Sequence, residues 1–253
     1  MTATRTFDWT AGVWTSAETP EATTSDTTDT PVPVDVSILL DRSGSMAGLV
    51  ADVVGGINAF LSDQRTTATD RLAACTVTLA QFDSQDPYEV LVSARPVDEI
   101  ADLTAEQYQP RGGTPLLDAV GALLDDTERR VGSGPADGTI DPVVVVFTDG
   151  LENASRQWNR AALFDRITAL EAAGWTFVFL GANQDAYLEA GGLGFAGANT
   201  QNFRGDGLGS RYAMAEVSRG LSSMRSKQKL DRYGHKLDFF DGHKDAERDD
   251  DTR

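Results

Sequence analysis

The sequence has 253 residues, of which 40% are apolar and 24% charged, a composition ordinary for one principal globular domain. Its 22 Lys and Arg against 39 Asp and Glu give a formal net charge of -17 at pH 7, so the average surface repels nucleic-acid backbones and anionic lipid headgroups. Neither nucleic acid nor a membrane surface is therefore an expected partner.

The start of the chain and its cysteine content favour a cytoplasmic protein. The first residues lack the basic start and apolar stretch of a secretory signal, and we expect no window of about 18 apolar residues that would span a membrane. The single cysteine, Cys75, excludes an internal disulfide and lies in an apolar run that favours a buried, inert thiol.

Residues 1–33 are expected to lie outside the main domain. Residues 15–33 are rich in Thr, Ser, Asp and Pro, and because they have few apolar side chains we interpret them as a flexible linker. The preceding segment differs, since Phe7, Trp9 and Trp14 are unfavourable in water. Two interpretations of this aromatic segment stay open: docking on the main domain, or docking on a partner.

From Val34 onward, strand-like and helix-like patterns alternate, which predicts an α/β fold. The four valines at 143–146 form an apolar run without alternation, which indicates a strand covered on both faces. We therefore predict a doubly wound, mostly parallel central sheet flanked by helices over residues 34–228. The strand-like runs at 75–83 and 88–95 are expected to pair as an antiparallel hairpin at one edge. Helices are predicted at 46–64, 114–131, 159–174 and 185–192, and a last short edge strand at 199–203.

A helix predicted at 210–229 closes the domain, and residues 229–253 are interpreted as a charged tail. Six cations, here called the basic patch, lie in this region: Arg219, Arg225, Lys227, Lys229, Arg232 and Lys236. A solvated helix face is the favoured interpretation of the basic patch. The alternative is a docking surface for an acidic partner, or for the chain's own Asp-rich end.

One candidate site begins where the first strand of the domain ends. Asp41, Ser43 and Ser45 place oxygen-bearing side chains at alternate positions of a tight turn, and Gly44 lets the backbone fold closely. Open α/β sheets bind ligands at the carboxyl ends of their strands, where this turn lies. A simpler alternative is that Asp41 and Ser43 only cap the following helix.

Two more loops place an oxygen donor at the same predicted edge of the sheet. Thr114 follows two glycines, and we predict it as the N-cap of the next helix, with Pro115 at the first helical position. Asp149 and Gly150 directly follow the valine-rich strand, although alone this dipeptide indicates only a turn.

Together, these residues resemble the metal-ion-dependent adhesion site (MIDAS) of von Willebrand factor type A (vWA) domains, whose pattern is Asp-x-Ser-x-Ser followed by a distant Thr and a distant Asp. The resemblance covers residues 34–228 in the order of elements as well as in the motif, which is complete in Asp41, Ser43, Ser45, Thr114 and Asp149. It implies that the three hydroxyls bind the ion directly and that the two carboxylates act largely through ordered water. Thr114 is the ligand expected to change its contact with the ion when a partner binds.

The donor set and the resemblance predict a non-enzymatic, metal-dependent protein-binding module. Oxygen-only ligation favours Mg²⁺, with Mn²⁺ or Ca²⁺ as substitutes, and the lack of His and Cys argues against zinc. An ion that the protein neutralises poorly can accept a partner's Asp or Glu carboxylate, because its local field outweighs the screened negative surface.

A looser likeness, in residues 148–158 and 179–195, is to bacterial and phage-associated intracellular vWA proteins. Some intracellular relatives act beside AAA+ ATPases, which makes such an ATPase one partner that the resemblance implies. Arg42, Glu152 and Asn153 lie near the motif in sequence. They are interpreted as surface-loop residues without a metal role, with a role in partner choice as the alternative.

Enzyme and nucleotide signatures fit the sequence poorly. Residues 192–197 satisfy G-x-G-x-x-G, but they follow a helical segment instead of a strand, so we interpret them as a helix end and loop. A serine hydrolase would need a nucleophile elbow and a partnering histidine, and the only histidines are His235 and His243. Two alternatives stay open: a metal-dependent hydrolase using the same pocket, and a structural or virion component that only assembles.

Overall fold

A computed structural model describes residues 5–8, 13–16, 31–66, 72–182, 186–204, 207–227 and 229–240. The chain divides into two compact units, residues 1–30 and residues 31–253. In the first unit, β1 (Arg5–Asp8) and β2 (Val13–Ser16) form a two-stranded antiparallel sheet that places Phe7 opposite Trp14. Trp9 and most of the predicted linker lie outside the described residues, so both interpretations of the aromatic segment stay predictions.

The second unit is built on a six-stranded sheet with the order β5-β4-β3-β6-β7-β8. All neighbours run parallel except β4 and β5, which confirms the α/β prediction and the antiparallel edge hairpin. The short strand at 199–203 is also confirmed as an edge strand. The strands are β3 (Val34–Asp41), β4 (Cys75–Phe82), β5 (Glu89–Pro96), β6 (Asp141–Thr148), β7 (Thr176–Gly181) and β8 (Thr200–Asn202).

Helices cover both faces of this sheet. A 3₁₀ turn at Gly44–Leu49 leads into α1, and shorter 3₁₀ turns lie at Val97–Glu99 and Gly197–Asn199. The helices are α1 (Val50–Thr66), α2 (Leu116–Val131), α3 (Gly134–Asp137), α4 (Arg160–Ala172), α5 (Ala186–Gly192), α6 (Gly207–Ser226) and α7 (Lys229–Leu237).

The core has two layers, one on each face of the sheet. Alternate residues of β3 serve opposite layers: Ile38 and Leu40 pack with α1 and α6, whereas Leu39 packs with α2 and α4. Every residue of β3 and β6 is buried. A strand covered on both faces needs no polar alternation, which explains the unbroken run of valines in β6.

The folded unit extends beyond the boundary predicted at residue 228. Helix α7 follows α6 closely, and Phe239 and Phe240 are buried in the core layer that contains α1 and α6. The charged-tail interpretation therefore does not hold for residues 229–240, because two aromatic side chains hold this segment on the domain. Residues 241–253 lie outside the described residues.

Burial also corrects the solvated-face interpretation for part of the basic patch. Arg225 and Arg232 are 2% and 1% exposed. Arg225 donates to Gln64 Oε1 at 2.8 Å, and Arg232 and Lys236 both bind the carboxylate of Asp141 at the start of β6. These three cations therefore attach the C-terminal helices α6 and α7 to the rest of the domain.

Within the described residues, the helical stretch Gly44–Thr66 is long and apolar enough to span a membrane, with a mean hydropathy of 1.4. This finding is contrary to the expectation that the chain has no apolar window of that length. A core helix meets the same requirements of length and composition, so such a stretch is only weak evidence for a membrane. Here Val53, Ile57, Phe60 and Leu61 are buried in the core layer beside α6, which accounts for the apolar composition.

Candidate functional site

The first part of the site is the turn at the carboxyl end of β3. Asp41 is fully buried, and its Oδ1 accepts the backbone N–H of Ser43 at 2.7 Å. Ser43 has an extended backbone and no side-chain capping bond; its Oγ instead lies 3.0 Å from Ser45 Oγ. The helix-capping alternative is therefore not supported for the Ser43 side chain, and both hydroxyls face each other across the turn.

Asp149 joins this turn from the neighbouring strand. Because β6 pairs in parallel with β3, its carboxyl end lies beside the turn. Ser45 Oγ donates to Asp149 Oδ1 at 2.7 Å, and Thr148 Oγ1 donates to Asp41 Oδ2 at 2.6 Å. Ser45 is exposed and Asp149 half-buried, whereas Ser43 is buried, so the site opens to solvent on the Ser45 side.

Thr114 approaches from the loop before α2, and Gly150 marks the space that it shares with Asp41. A Cβ at Gly150 would stand 3.1 Å from Thr114 Oγ1 and 3.5 Å from Asp41 Oδ2. These two oxygens are therefore at most 6.6 Å apart, the sum of the two distances, with no side chain at Gly150 between them. The structure thus brings all five predicted residues to one edge of the sheet.

The predicted capping role of Thr114 is wrong. Helix α2 begins at Leu116, its N-cap position is Pro115, and no side-chain cap comes from this segment. Thr114 instead pairs with Asn153, whose Oδ1 accepts the Thr114 N–H at 2.8 Å and whose N–H donates to the Thr114 carbonyl at 3.1 Å. These two hydrogen bonds fix the Thr114 loop against the loop that carries Asp149.

The loop after Asp149 supplies the cap of α2. Glu152 Oε2 accepts the Leu117 N–H at 3.0 Å, and Ser155 Oγ accepts the Asp118 N–H at 3.1 Å. The Asp118 carboxylate in turn accepts three backbone N–H groups of residues 156–158. Glu152 and Asn153 therefore do more than the surface-loop interpretation assigned to them, because they hold the site loops in place.

The surroundings of the site disfavour the ionised form of its two carboxylates. Burial raises the pKa of Asp41 to about 6, although hydrogen bonds from Thr148 and Ser43 oppose the shift. Burial also raises the pKa of Asp149, against the effect of its bond from Ser45. Among the described residues, no cation forms an ion pair with Asp41. A fully buried carboxylate such as Asp41, which pairs with no cation of the described residues, favours a bound positive charge nearby.

Sequence reasoning missed two buried supports of the Asp41 turn. Tyr108 is fully buried, and its hydroxyl donates to the Asp41 carbonyl. Arg42, interpreted as a surface residue, is 4% exposed and pairs with Asp83, which follows β4. Asp83 directly follows Phe82, which pairs with Asp41 in the parallel register of β3 and β4, so it lies at the same edge of the sheet as Asp41. An Asp directly after an apolar strand is the sequence signal that could indicate it.

The G-x-G-x-x-G segment has no phosphate-binding geometry. It follows α5, with the Leu193 N–H donating to the Glu189 carbonyl, and Gly194 has φ +92°, a left-handed conformation suited to the end of a helix. The segment leads into the turn at Gly197–Asn199 and then into β8. The interpretation as a helix end and loop is confirmed.

Many solved structures resemble this fold, including the following three. The pilus adhesin SpaC from Lactobacillus rhamnosus GG has a TM-score of 0.55 at 14% identity, over 77% of this chain and 31% of its own. Proximal thread matrix protein 1 from the mussel byssus has a TM-score of 0.51 at 16% identity, over 74% of this chain and 47% of its own. The SpRpn10 VWA domain has a TM-score of 0.49 at 11% identity, over 68% of this chain and 87% of its own.

No protein-family model and no curated protein sequence matches the chain. The chain spans less than a third of the SpaC structure and about half of the mussel protein. At such low identity, the likeness to SpaC and to the mussel protein shows the fold alone. This fold is α/β and vWA-like.

Proposed function

We propose that this chain is a non-enzymatic protein-binding module that holds a divalent cation, Mg²⁺ above all, and binds a partner's Asp or Glu carboxylate through that ion. The supporting observation is that five oxygen donors from three loops converge at the carboxyl edge of the sheet. The fold is consistent with binding, since SpaC, which shares it, is a pilus adhesin.

The donors suit a hard divalent cation. Within the described ranges, no group of three or more His, Cys, Asp or Glu side chains is arranged to hold a metal ion. The candidate set instead consists of three hydroxyls and two carboxylates. Ser43, Ser45 and Thr114 would hold the ion directly, and Asp41 and Asp149 would act through water. Because no carboxylate of such a set contacts the ion directly, the charge of a bound Mg²⁺, Mn²⁺ or Ca²⁺ stays largely uncompensated. The ion then attracts an anionic group.

The net charge makes the ion decisive for partner binding. With a formal charge of -17, the protein repels an acidic partner at long range. At contact, the ion is the nearest strong charge and the distant surface is screened. Removal of the ion should therefore abolish binding of a carboxylate, not merely weaken it.

The proposal is tested by calorimetric titration of metal-free protein with Mg²⁺, followed by titration of the loaded protein with short peptides that contain one Asp or, as control, Asn. Asp149→Asn should lose Mg²⁺ binding. Asp102→Asn is the matched control, because Asp102 is an exposed carboxylate that pairs with Arg65 at the far end of α1. Equal Mg²⁺ affinity of the Asp149 and Asp102 variants would contradict the proposed site.

Two further measurements separate this function from its alternatives. Turnover of phosphate or carboxylate esters in Mg²⁺ would assign a metal-dependent hydrolase, and a large homo-oligomer in solution would favour an assembly component. Affinity capture with and without EDTA, using wild type and Asp149→Ala, would identify the partner. The AAA+ ATPase partner stays a prediction that this capture tests, and the cytoplasmic location stays a separate prediction.

A further inference from the structure

Asp83, directly after β4, has a fully buried side chain with four hydrogen-bond donors around it. Its Oδ1 accepts the backbone N–H groups of Gln85 at 2.6 Å and Asp86 at 3.0 Å. Its Oδ2 accepts Nε–H of Arg42 at 2.8 Å and Nε–H of Arg111 at 3.0 Å. Burial alone would raise the pKa of Asp83, but these hydrogen bonds and charges hold the pKa below its usual range.

The two arginines belong to the two loops that carry four of the five candidate ligands. Arg42 lies inside the Asp41–Ser45 turn, and Arg111 lies three residues before Thr114. The Arg111 N–H also donates to the Arg42 carbonyl at 2.9 Å. One carboxylate oxygen of Asp83 therefore ties together two loops that are about seventy residues apart in the chain, next to the proposed ion site.

The other acids around these arginines are poor substitutes for Asp83. Arg42 Nη1 contacts Glu89 at 2.6 Å, and Arg111 Nη2 contacts Asp86 at 2.6 Å. The side chains of Glu89 and Asp86 are 42% and 57% exposed, so water and salt screen both pairs. Within the described part of the chain, Asp83 is the buried carboxylate that both arginines share.

We propose that Asp83 is a positioning residue for the metal site, which sets the distance between the Asp41–Ser45 turn and the Thr114 loop without touching the ion. The inference rests on the proposed function. Residues that orient metal ligands from behind commonly change metal affinity by about 10-fold to 100-fold when they are replaced. In Asp83→Asn, the amide N–H₂ would face either the two backbone N–H groups or the two guanidinium groups, so one set of bonds is lost.

Asp141 provides a matched control at the opposite end of the sheet. It is also a buried carboxylate at the end of a central strand, and it also binds two cations, Arg232 Nη1 and Lys236 Nζ. It is the first residue of β6, whereas the candidate ligand Asp149 directly follows β6 at the other end. Asp141→Asn therefore removes a comparable buried ion cluster without disturbing the site loops.

The test compares wild type, Asp83→Asn and Asp141→Asn in two measurements: the melting temperature in EDTA, and the Mg²⁺ dissociation constant by calorimetry. Both variants should melt lower than wild type in EDTA. Only Asp83→Asn should raise the Mg²⁺ dissociation constant, by about tenfold or more. Equal Mg²⁺ affinity of the two variants would overturn the positioning role, whereas absence of Mg²⁺ binding by wild type would overturn the proposed function.

A second variant decides the case if Asp83→Asn does not fold. Arg111 has a side chain that is 40% exposed, so Arg111→Met should be tolerated. It removes the hydrogen bond from Arg111 to Asp83 and leaves the bond from Arg42 to Asp83 intact. We expect a smaller rise of the Mg²⁺ dissociation constant, about threefold to tenfold. An unchanged constant in Arg111→Met would equally overturn the positioning role.

Discussion

Replacement of Asp41 by Asn should stabilise the metal-free protein while abolishing its response to Mg²⁺. Asp41 is fully buried, and no cation of the described residues pairs with it. An Asn fits the same bonds: its Oδ1 accepts the Ser43 N–H, and its N–H₂ donates to Thr148 Oγ1, whose hydroxyl hydrogen can turn to the Gly150 carbonyl at 3.2 Å. The substitution therefore removes the charge with little change of shape.

The magnitude follows from the pKa of Asp41, which burial raises from 3.8 to about 6. Each unit corresponds to about 1.4 kcal/mol, so at pH 7.5 ionisation of Asp41 destabilises the metal-free fold by about 3 kcal/mol at most. Because the folded pKa is the higher one, stability is full below the unfolded pKa and is lost as pH rises through 6. We expect Asp41→Asn to recover about 1–3 kcal/mol at pH 7.5, and about half as much at pH 5.

Thermal unfolding in EDTA at pH 7.5 and pH 5, repeated with excess Mg²⁺, measures both effects. About 1–3 kcal/mol corresponds to a rise of several degrees in a domain of this size. Wild type should gain stability from Mg²⁺ at pH 7.5 and gain less below pH 6, where protons compete for Asp41. A variant less stable than wild type in EDTA at both pH values, or one with an undiminished Mg²⁺ shift, would refute the reasoning.

Three further substitutions test separate parts of the structure. Gly150→Ala should weaken Mg²⁺ binding in calorimetry with little loss of melting temperature, because its Cβ would stand 3.1 Å from Thr114 Oγ1 in the site. Glu152→Gln should lower the free energy of unfolding in urea by about 1–2 kcal/mol, since the amide cannot accept all the bonds of the carboxylate that caps α2. Gly121→Ala should cost about 1–3 kcal/mol in the same assay, because its Cβ would lie 2.3 Å from Trp158 Nε1; an unchanged midpoint would contradict this packing.

The layout of the sheet and the convergence of the site could be predicted from the sequence. Buried parallel strands have a distinctive continuous apolar pattern, and the carboxyl ends of parallel neighbours meet at one edge of the sheet. These two facts place Asp41 and Asp149 side by side although they are about a hundred residues apart. The metal role of the five residues stays a proposal, because a pattern of oxygen donors does not measure binding.

The wrong predictions for Thr114 and Arg232 have one physical origin: the residue that decides the role of each position is distant in sequence. Thr114 looked like a helix cap because its neighbours are typical of one, but Glu152 supplies the cap instead. Arg232 looked solvated because its neighbours are polar, but it binds Asp141 across the fold. Local patterns report the preference of a segment, whereas buried charges are placed by whichever counter-charge the fold brings near.

The crossed capping between α2 and the loop after Asp149 also limits how the domain could receive an anion. Free N–H groups in the first turn of a helix can hold a carboxylate without any metal. Here Leu117 and Asp118 already give their amide hydrogens to Glu152 and Ser155, so this helix end is closed to an incoming acid. An incoming carboxylate therefore finds no free amide hydrogen on Leu117 or Asp118, and the proposed function predicts that its binding follows the supply of the cation.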